Sequence, residues 1–308
     1  MDKLPPLGRG IESVLLPTFA AYEDLLRANE ADIRSARRET HTYGPHPRHV
    51  LDAYFPDEKK SPKATVLVFL HGGGFYAGSR VNEDVAGGLI FGNLGRFFTA
   101  KYGATVLIPD YRLISHGAKY PSGGEDIAWV IDWVKTSLAR QEGYESVDLV
   151  LMGNSAGGIH VATFLLDSAF EVAREGVLAQ DATVRLRGVV FLGAPFHWGG
   201  YADEAIKTYM GENTITENSP KSKLKAAIER GVELPKVKML ALISELDPPL
   251  ILETTEEFKE LWKGADIDIK VLEGHNHISP QVSLGTGVER EEAWGVMVGE
   301  FLKSCASK

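Results

Sequence analysis

Three observations predict an α/β fold with an open, mostly parallel sheet covered by helices. Short apolar, β-branched runs alternate with longer helical patterns. The runs are apolar on both faces, and glycine clusters directly follow two of them. Strands sandwiched between helix layers read as near-continuous apolar runs, because neither face of the sheet meets water.

Residues 11–36 form an amphipathic helical stretch. Leu15, Phe19, Tyr22 and Leu26 fall four, three and four positions apart, a stripe that needs a surface to cover. Residues 48–55 (RHVLDAYF) predict a strand near one sheet edge. The body of the sheet is expected from 64–70 (ATVLVFL), 104–108 (ATVLI), 147–152 (VDLVLM), 188–192 (GVVFL), 237–243 (VKMLALI) and 267–272 (IDIKVL). Helical patterns at 125–140, 156–168, 251–262 and 290–303 complete the alternation. Residues 197–235 separate two strands by far more than the usual few residues, as lids and binding elements do. Internal repeats and low-complexity tracts are lacking.

Composition excludes several classes. The 308 residues are 44% hydrophobic and 24% charged, enough apolar surface for a core and unlike a disordered chain. Thirty-three Lys and Arg against 42 Asp and Glu give a net charge of −9, which disfavours nucleic acid and anionic membranes as partners. The lone Cys305 rules out an intrachain disulfide framework and a Cys-rich metal site. The N-terminus lacks a basic region followed by an apolar run, and no uncharged apolar run reaches membrane-spanning length, so a soluble cytoplasmic protein is expected. Glycine, at 32 residues, exceeds the usual ~7%.

Part of that glycine sits where chemistry would need it. Gly153-Asn154-Ser155-Ala156-Gly157-Gly158 follows a predicted strand and precedes a predicted helix. This G-x-S-x-G context is that of a nucleophile elbow, whose strained turn closes only when the flanking residues are small. His71-Gly72-Gly73-Gly74-Phe75 follows another apolar strand. Acyl transfer builds charge on a carbonyl oxygen, and a glycine run leaves amides free to face it. Gly73 and Gly74 are the expected donors from this loop, with the Ala156 amide as the third. A phosphate loop is disfavoured because no Lys-Ser/Thr follows the glycines.

A serine nucleophile needs a base, and the base needs an acid. After the strand 237–243 come Glu245 and Asp247; after 267–272 come His275 and His277. Asp247 is preferred as the acid for its Pro-bounded position, with Glu245 as the alternative. His277 is preferred as the base because a turn fits between Gly274 and it, with His275 as the alternative. A His-x-His metal site lacks a third ligand cluster, so no metal is expected. His71 is expected to steady the glycine loop, and His116, His160 and His197 to line a pocket or to be satisfied polar groups. Trp198, Tyr201 and Tyr209 in the insertion either form an acyl or alcohol pocket or pack a lid onto the sheet.

HGGGF at 71–75, DYR at 110–112, GNSAGG at 153–158, LDP at 246–248 and the late His277 together resemble the hormone-sensitive-lipase group of α/β-hydrolase serine esterases. The resemblance spans roughly 45–304. It implies one α/β-hydrolase domain over 1–308, an eight-stranded mostly parallel sheet, and a helical cap from about 1–44 and about 197–235. It implies that 110–112 and Asp126 brace the sheet structurally. The implied activity is that of a carboxylesterase cleaving small acyl esters through Ser155, Asp247 and His277, with no cofactor; a homodimer is allowed. The chain departs from the group at Asn154, where Asp is usual, and after Arg112 (LISHGAKYP), positions that bear on pocket shape. The kynurenine formamidase branch is also similar, so a formamide or amide substrate is the alternative. The plant gibberellin receptors share the scaffold but lose the catalytic His, and the presence of both Ser155 and His277 argues against a receptor.

Overall fold

The computed structural model describes residues 1–58 and 61–306. Its centre is an eight-stranded sheet built from β1 (Arg37–Thr42), β2 (Val50–Phe55), β3 (Lys63–Leu70), β4 (Thr105–Pro109), β5 (Ser146–Asn154), β6 (Val184–Leu192), β7 (Lys238–Leu246) and β8 (Ile267–Asn276). Their order across the sheet is β1-β2-β4-β3-β5-β6-β7-β8. The pairs β1·β2 and β2·β4 are antiparallel and all others parallel. All seven expected strands are present. The eighth, β1, is an edge strand of sequence RRETHT whose residues are exposed or half-buried. It carries no apolar run and so left no signal of strand type. Residues 37–42 therefore belong to the sheet, and not to the cap expected over 1–44.

Alternation along each strand sends side chains to two cores. Val66, Val68 and Leu70 of β3 and Leu149 and Leu151 of β5 join one core. Leu67 and Phe69 of β3 and Val150 and Met152 of β5 join the other. Helices Ser122–Trp133, Ala156–Leu166 and Pro249–Leu261 close the first face through residues such as Ile127, Phe164 and Phe258. Helices Ile11–Ala28, Gly92–Tyr102 and Glu289–Cys305 close the second through Tyr22, Phe98 and Trp294.

The amphipathic stretch 11–36 is interrupted at Asn29, after which a short helix, Glu30–Arg34, follows. The first helix buries Val14, Thr18, Tyr22 and Leu26, while Leu15 and Phe19 flank this stripe half-buried. Polar Thr18 is buried because its hydroxyl oxygen accepts a hydrogen bond from Asn276 Nδ2, at 2.8 Å. Between β6 and β7 the long insertion carries two helices, Glu204–Met210 and Pro220–Glu229. Asp203 and Ser219 cap them by accepting from the Ile206 and Ser222 amides.

Candidate active site

The carboxyl ends of the parallel strands supply the site, which is where open α/β sheets expose loops on one edge. The glycine loop follows β3 and Ser155 follows β5, and these two strands are neighbours. Asp247 follows β7, and His277 comes just after the end of the adjacent β8.

Ser155 holds φ 51° and ψ −116°, a conformation sparsely populated by any residue with a side chain. The glycines around it are required by close backbone approach. A Cβ on Gly153 would lie 2.4 Å from the Gly157 backbone, and one on Gly157 would lie 2.3 Å from the Leu70 carbonyl oxygen of β3. A Cβ on Gly72 would stand 3.3 Å from Ser155 Cβ, so the glycine loop faces the serine directly. Ser155 is half-buried, and so are Gly72, Gly73 and Gly74.

Peptide orientation in the loop follows from where its carbonyls go. The Gly72 oxygen accepts from His71 Nδ1, at 2.7 Å. The Gly73 oxygen accepts from the Ala77 amide at 2.9 Å. In a trans peptide the N–H points opposite to the C=O, so the Gly73 and Gly74 amides are turned the other way. Among the described residues neither amide has a protein acceptor. Ala156 begins its helix, where N–H groups lack intrahelical partners.

Asp247 is buried and accepts two hydrogen bonds, from the Ser244 amide at 2.7 Å and from His277 Nδ1 at 2.6 Å. The carboxylate fixes the proton on Nδ1 and leaves Nε2 with its lone pair. The two alternatives lie elsewhere. Glu245 is exposed and accepts from the Gly274 amide at 2.7 Å, and His275 Nδ1 pairs with Ser279 Oγ at 2.8 Å. Burial pushes His275 down to about 4. A cavity of about 610 Å³ adjoins that turn, lined by Glu245, His275, Arg290 and Trp294 among others, and takes in none of Ser155, Asp247 or His277.

Gly193, just past β6, lies between the serine and the pair. A Cβ there would be 3.2 Å from the His277 ring, and the Ser155 amide donates to the carbonyl of the preceding Leu192 at 2.9 Å. Among the described residues no hydrogen bond joins Ser155 Oγ to His277; contacts of this kind are commonly loose in ligand-free sites.

Asn154 explains its departure from Asp. Its Nδ2 donates to the Leu192 carbonyl at 3.1 Å, a bond that a carboxylate could not make. Asp110 accepts from the Arg80 amide and Nη1, both at 2.6 Å, and Asp126 from the Arg112 amide and Nε at 2.8 and 2.7 Å, bracing the sheet end as expected. His116 is exposed, His197 pairs with Glu257 at 2.7 Å, and His160 is sealed against Tyr209 and pushed down to about 3 by burial. Tyr209 and Trp198 are buried with Phe75, Ala156, Ile159 and Met210 in a small apolar cluster. Tyr209 stacks on Phe75 at 4.3 Å, whereas Tyr201 is 80% exposed.

Sequence reasoning missed Arg9. Its Nη1 donates to the carbonyls of Glu245 and Asp247, each at 2.7 Å, tying the N-terminal segment to the acid loop. No signal near residue 9 announces this contact, which spans more than 230 positions.

Residues 51–252, well over half of the chain, match the family BD-FAE. The chain belongs to the BD-FAE family. Solved structures similar to this BD-FAE member share its fold. Esterase B from Lactobacillus rhamnosis aligns with a TM-score of 0.66 at 14% identity, over 96% of this chain and 95% of that one. A fungal esterase from Rhizomucor miehei gives 0.64 at 19%, over 92% and 90%. The esterase Est2 from Thermogutta terrifontis, with propionate bound, gives 0.61 at 21%, over 88% and 96%. No curated protein gives a significant match. The fold is that of the α/β-hydrolase esterases, as the motifs led one to expect. Among the described residues no helix is long and apolar enough to cross a membrane.

Proposed function

We propose that this protein is a serine carboxylesterase acting on small acyl esters. The observation that carries the reading is the Asp247–His277 hydrogen bond on the same sheet edge as a serine held at φ 51°. In the reaction, His277 Nε2 takes the Ser155 Oγ proton as Ser155 attacks the ester carbonyl. The Gly73, Gly74 and Ala156 amides stabilise the oxyanion. His277 then returns the proton to the departing alcohol, and the acyl-serine is hydrolysed by a water that His277 activates in turn.

The small acyl group is what the family resemblance implies; Phe75, Trp198, Tyr209 and Met210 pack with Ala156 in a buried apolar cluster next to the serine. Est2, of the same fold, was solved with propionate. The N-terminal segment and the 197–235 insertion are assigned to a cap on a single hydrolase domain. Arg9 and Thr18 of the first bond to the acid and histidine turns, and Trp198 and Tyr209 of the second pack with Phe75.

Hydrolysis of p-nitrophenyl acetate and butyrate tests the reading. Ser155→Ala should remove nearly all turnover, in line with the ~10⁶-fold losses seen when such a nucleophile is deleted. Turnover equal to the parent would show the assignment to be wrong.

A further inference from the structure

We propose that Tyr111 is a positioning residue for the reaction, aiming the Gly73 oxyanion-binding amide from behind the glycine loop; the inference rests on the hydrolase reading above. Tyr111 stands just beyond β4, which pairs with β3, the strand that leads into the glycine loop. Its side chain is fully buried. The hydroxyl donates to the His71 carbonyl at 2.8 Å, with the Gly72 carbonyl a secondary acceptor at 3.3 Å. Its ring stacks on the His71 imidazole, with centroids 4.4 Å apart and planes 23° from parallel.

These contacts act on two successive peptides. The hydroxyl bond fixes the 71–72 peptide by its oxygen. The stacked imidazole, held in its plane by Tyr111, donates Nδ1–H to the Gly72 oxygen and so fixes the 72–73 peptide. Both carbonyls are drawn inward, and the Gly73 amide is consequently turned to the opposite side of its peptide. Glycines do not resist rotation about φ and ψ, so without an inner hold these peptides could flip at little cost. The surroundings of His71 are closely packed. A Cβ on Gly157 would lie 2.7 Å from the His71 oxygen, and one on Gly78 would lie 2.4 Å from His71 Nδ1. Burial pushes the Tyr111 phenol up, so its hydroxyl keeps the proton it donates, and it pushes His71 down to about 4; on the neutral ring the Gly72 oxygen, which can only accept, assigns the proton to Nδ1. This goes beyond bracing of the sheet, since the hydroxyl makes its hydrogen bonds to the loop.

The test is Tyr111→Phe, which keeps the ring and its stacking and deletes the hydroxyl. Rates on p-nitrophenyl butyrate are referred to active sites titrated with a fluorophosphonate. We expect kcat to fall about 10- to 100-fold, short of the 10²–10³ that outright loss of a donor costs. KM should stay nearly constant, and a boronic acid that mimics the tetrahedral intermediate should bind more weakly by a similar factor. A residue with only a structural role would lower the melting temperature and leave kcat and boronate affinity unmoved, and that result overturns the inference. His71→Gln removes the Nδ1–H donor and the stacked ring, and it should show the same split between kcat and KM. The double variant should lose less than the product of the two single losses, because both act on one loop. If Tyr111→Phe does not fold, His71→Gln decides the matter: an unchanged kcat overturns the proposal. Full activity of Ser155→Ala would instead sink the hydrolase reading itself. Loss in Ser155→Ala beside a parental kcat in Tyr111→Phe would sink only the role of Tyr111.

Discussion

Asp247 accepts one hydrogen bond on each carboxylate oxygen, from His277 Nδ1 and from the Ser244 amide. That arrangement makes Asp247→Asn a sharp test. The Ser244 N–H needs an acceptor, so the Asn oxygen turns to it and the Asn NH₂ faces His277. The imidazole must then carry its proton on Nε2, where it cannot accept one from Ser155. A tautomer error of this kind costs about 10⁴ in kcat, and steady-state rates on p-nitrophenyl butyrate would show it. Glu245→Gln keeps an acceptor for the Gly274 amide on an exposed side chain. It should leave kcat within about twofold, as exposed substitutions generally do. A large loss in Glu245→Gln together with a parental rate in Asp247→Asn would reverse the assignment of the acid. In the sequence, placement beyond the strand ends favours Asp247 over Glu245 and His277 over His275, but it does not show what any of the four meets. They differ in the hydrogen bonds they meet, and those depend on neighbouring turns.

The histidine turn is held by an element from the other end of the chain. Asn276 donates to Thr18 of the first helix, and its Oδ1 accepts from the Ile278 and Ser279 amides at 3.0 and 2.9 Å. Asn276→Ala leaves these buried donors and Thr18 without their partner, at a cost of about 1–3 kcal/mol. Urea unfolding should show that loss. Kinetics should show a lower kcat as well, because the turn that carries His277 loses its anchor. Unchanged stability and unchanged kcat together would refute the role of the helix in holding the turn. The stripe Tyr22 and Leu26 was readable from helical spacing, whereas burial of Thr18 was not, since a polar residue is buried only when a distant partner meets it. The edge strand β1 was hidden for a related reason. Its residues face solvent on most positions, so only pairing with β2 distinguishes it from a loop.

Across the whole molecule, three buried histidines set a direction for stability against pH. Removal from water pushes His71, His160 and His275 down from 6.5 to about 4, 3 and 4. Between these values and 6.5 the unfolded chain binds protons that the folded chain refuses. Their contribution to stability is therefore complete above about pH 6.5 and is lost as the pH falls toward 4. Melting temperatures recorded from pH 7.5 to 4.5 should decline steadily below about 6.5, and a flat profile would contradict the burial of these rings.

The sequence by itself determined the layered fold and the two glycine turns. Apolar runs specify strands that must be covered on both faces, and the small residues flanking Ser155 in G-x-S-x-G mark a tight strand-to-helix turn. It also brought the candidates for nucleophile, acid and base to strand ends in the right order. Only the tertiary structure decided which acid meets which histidine, that Asn154 ties β5 to β6, and that Arg9, Thr18 and Tyr111 hold the loops of the site. Local pattern is set by burial and backbone sterics, which act over a few residues. A hydrogen bond between residue 9 and residue 247 exists only once the sheet has brought the two together.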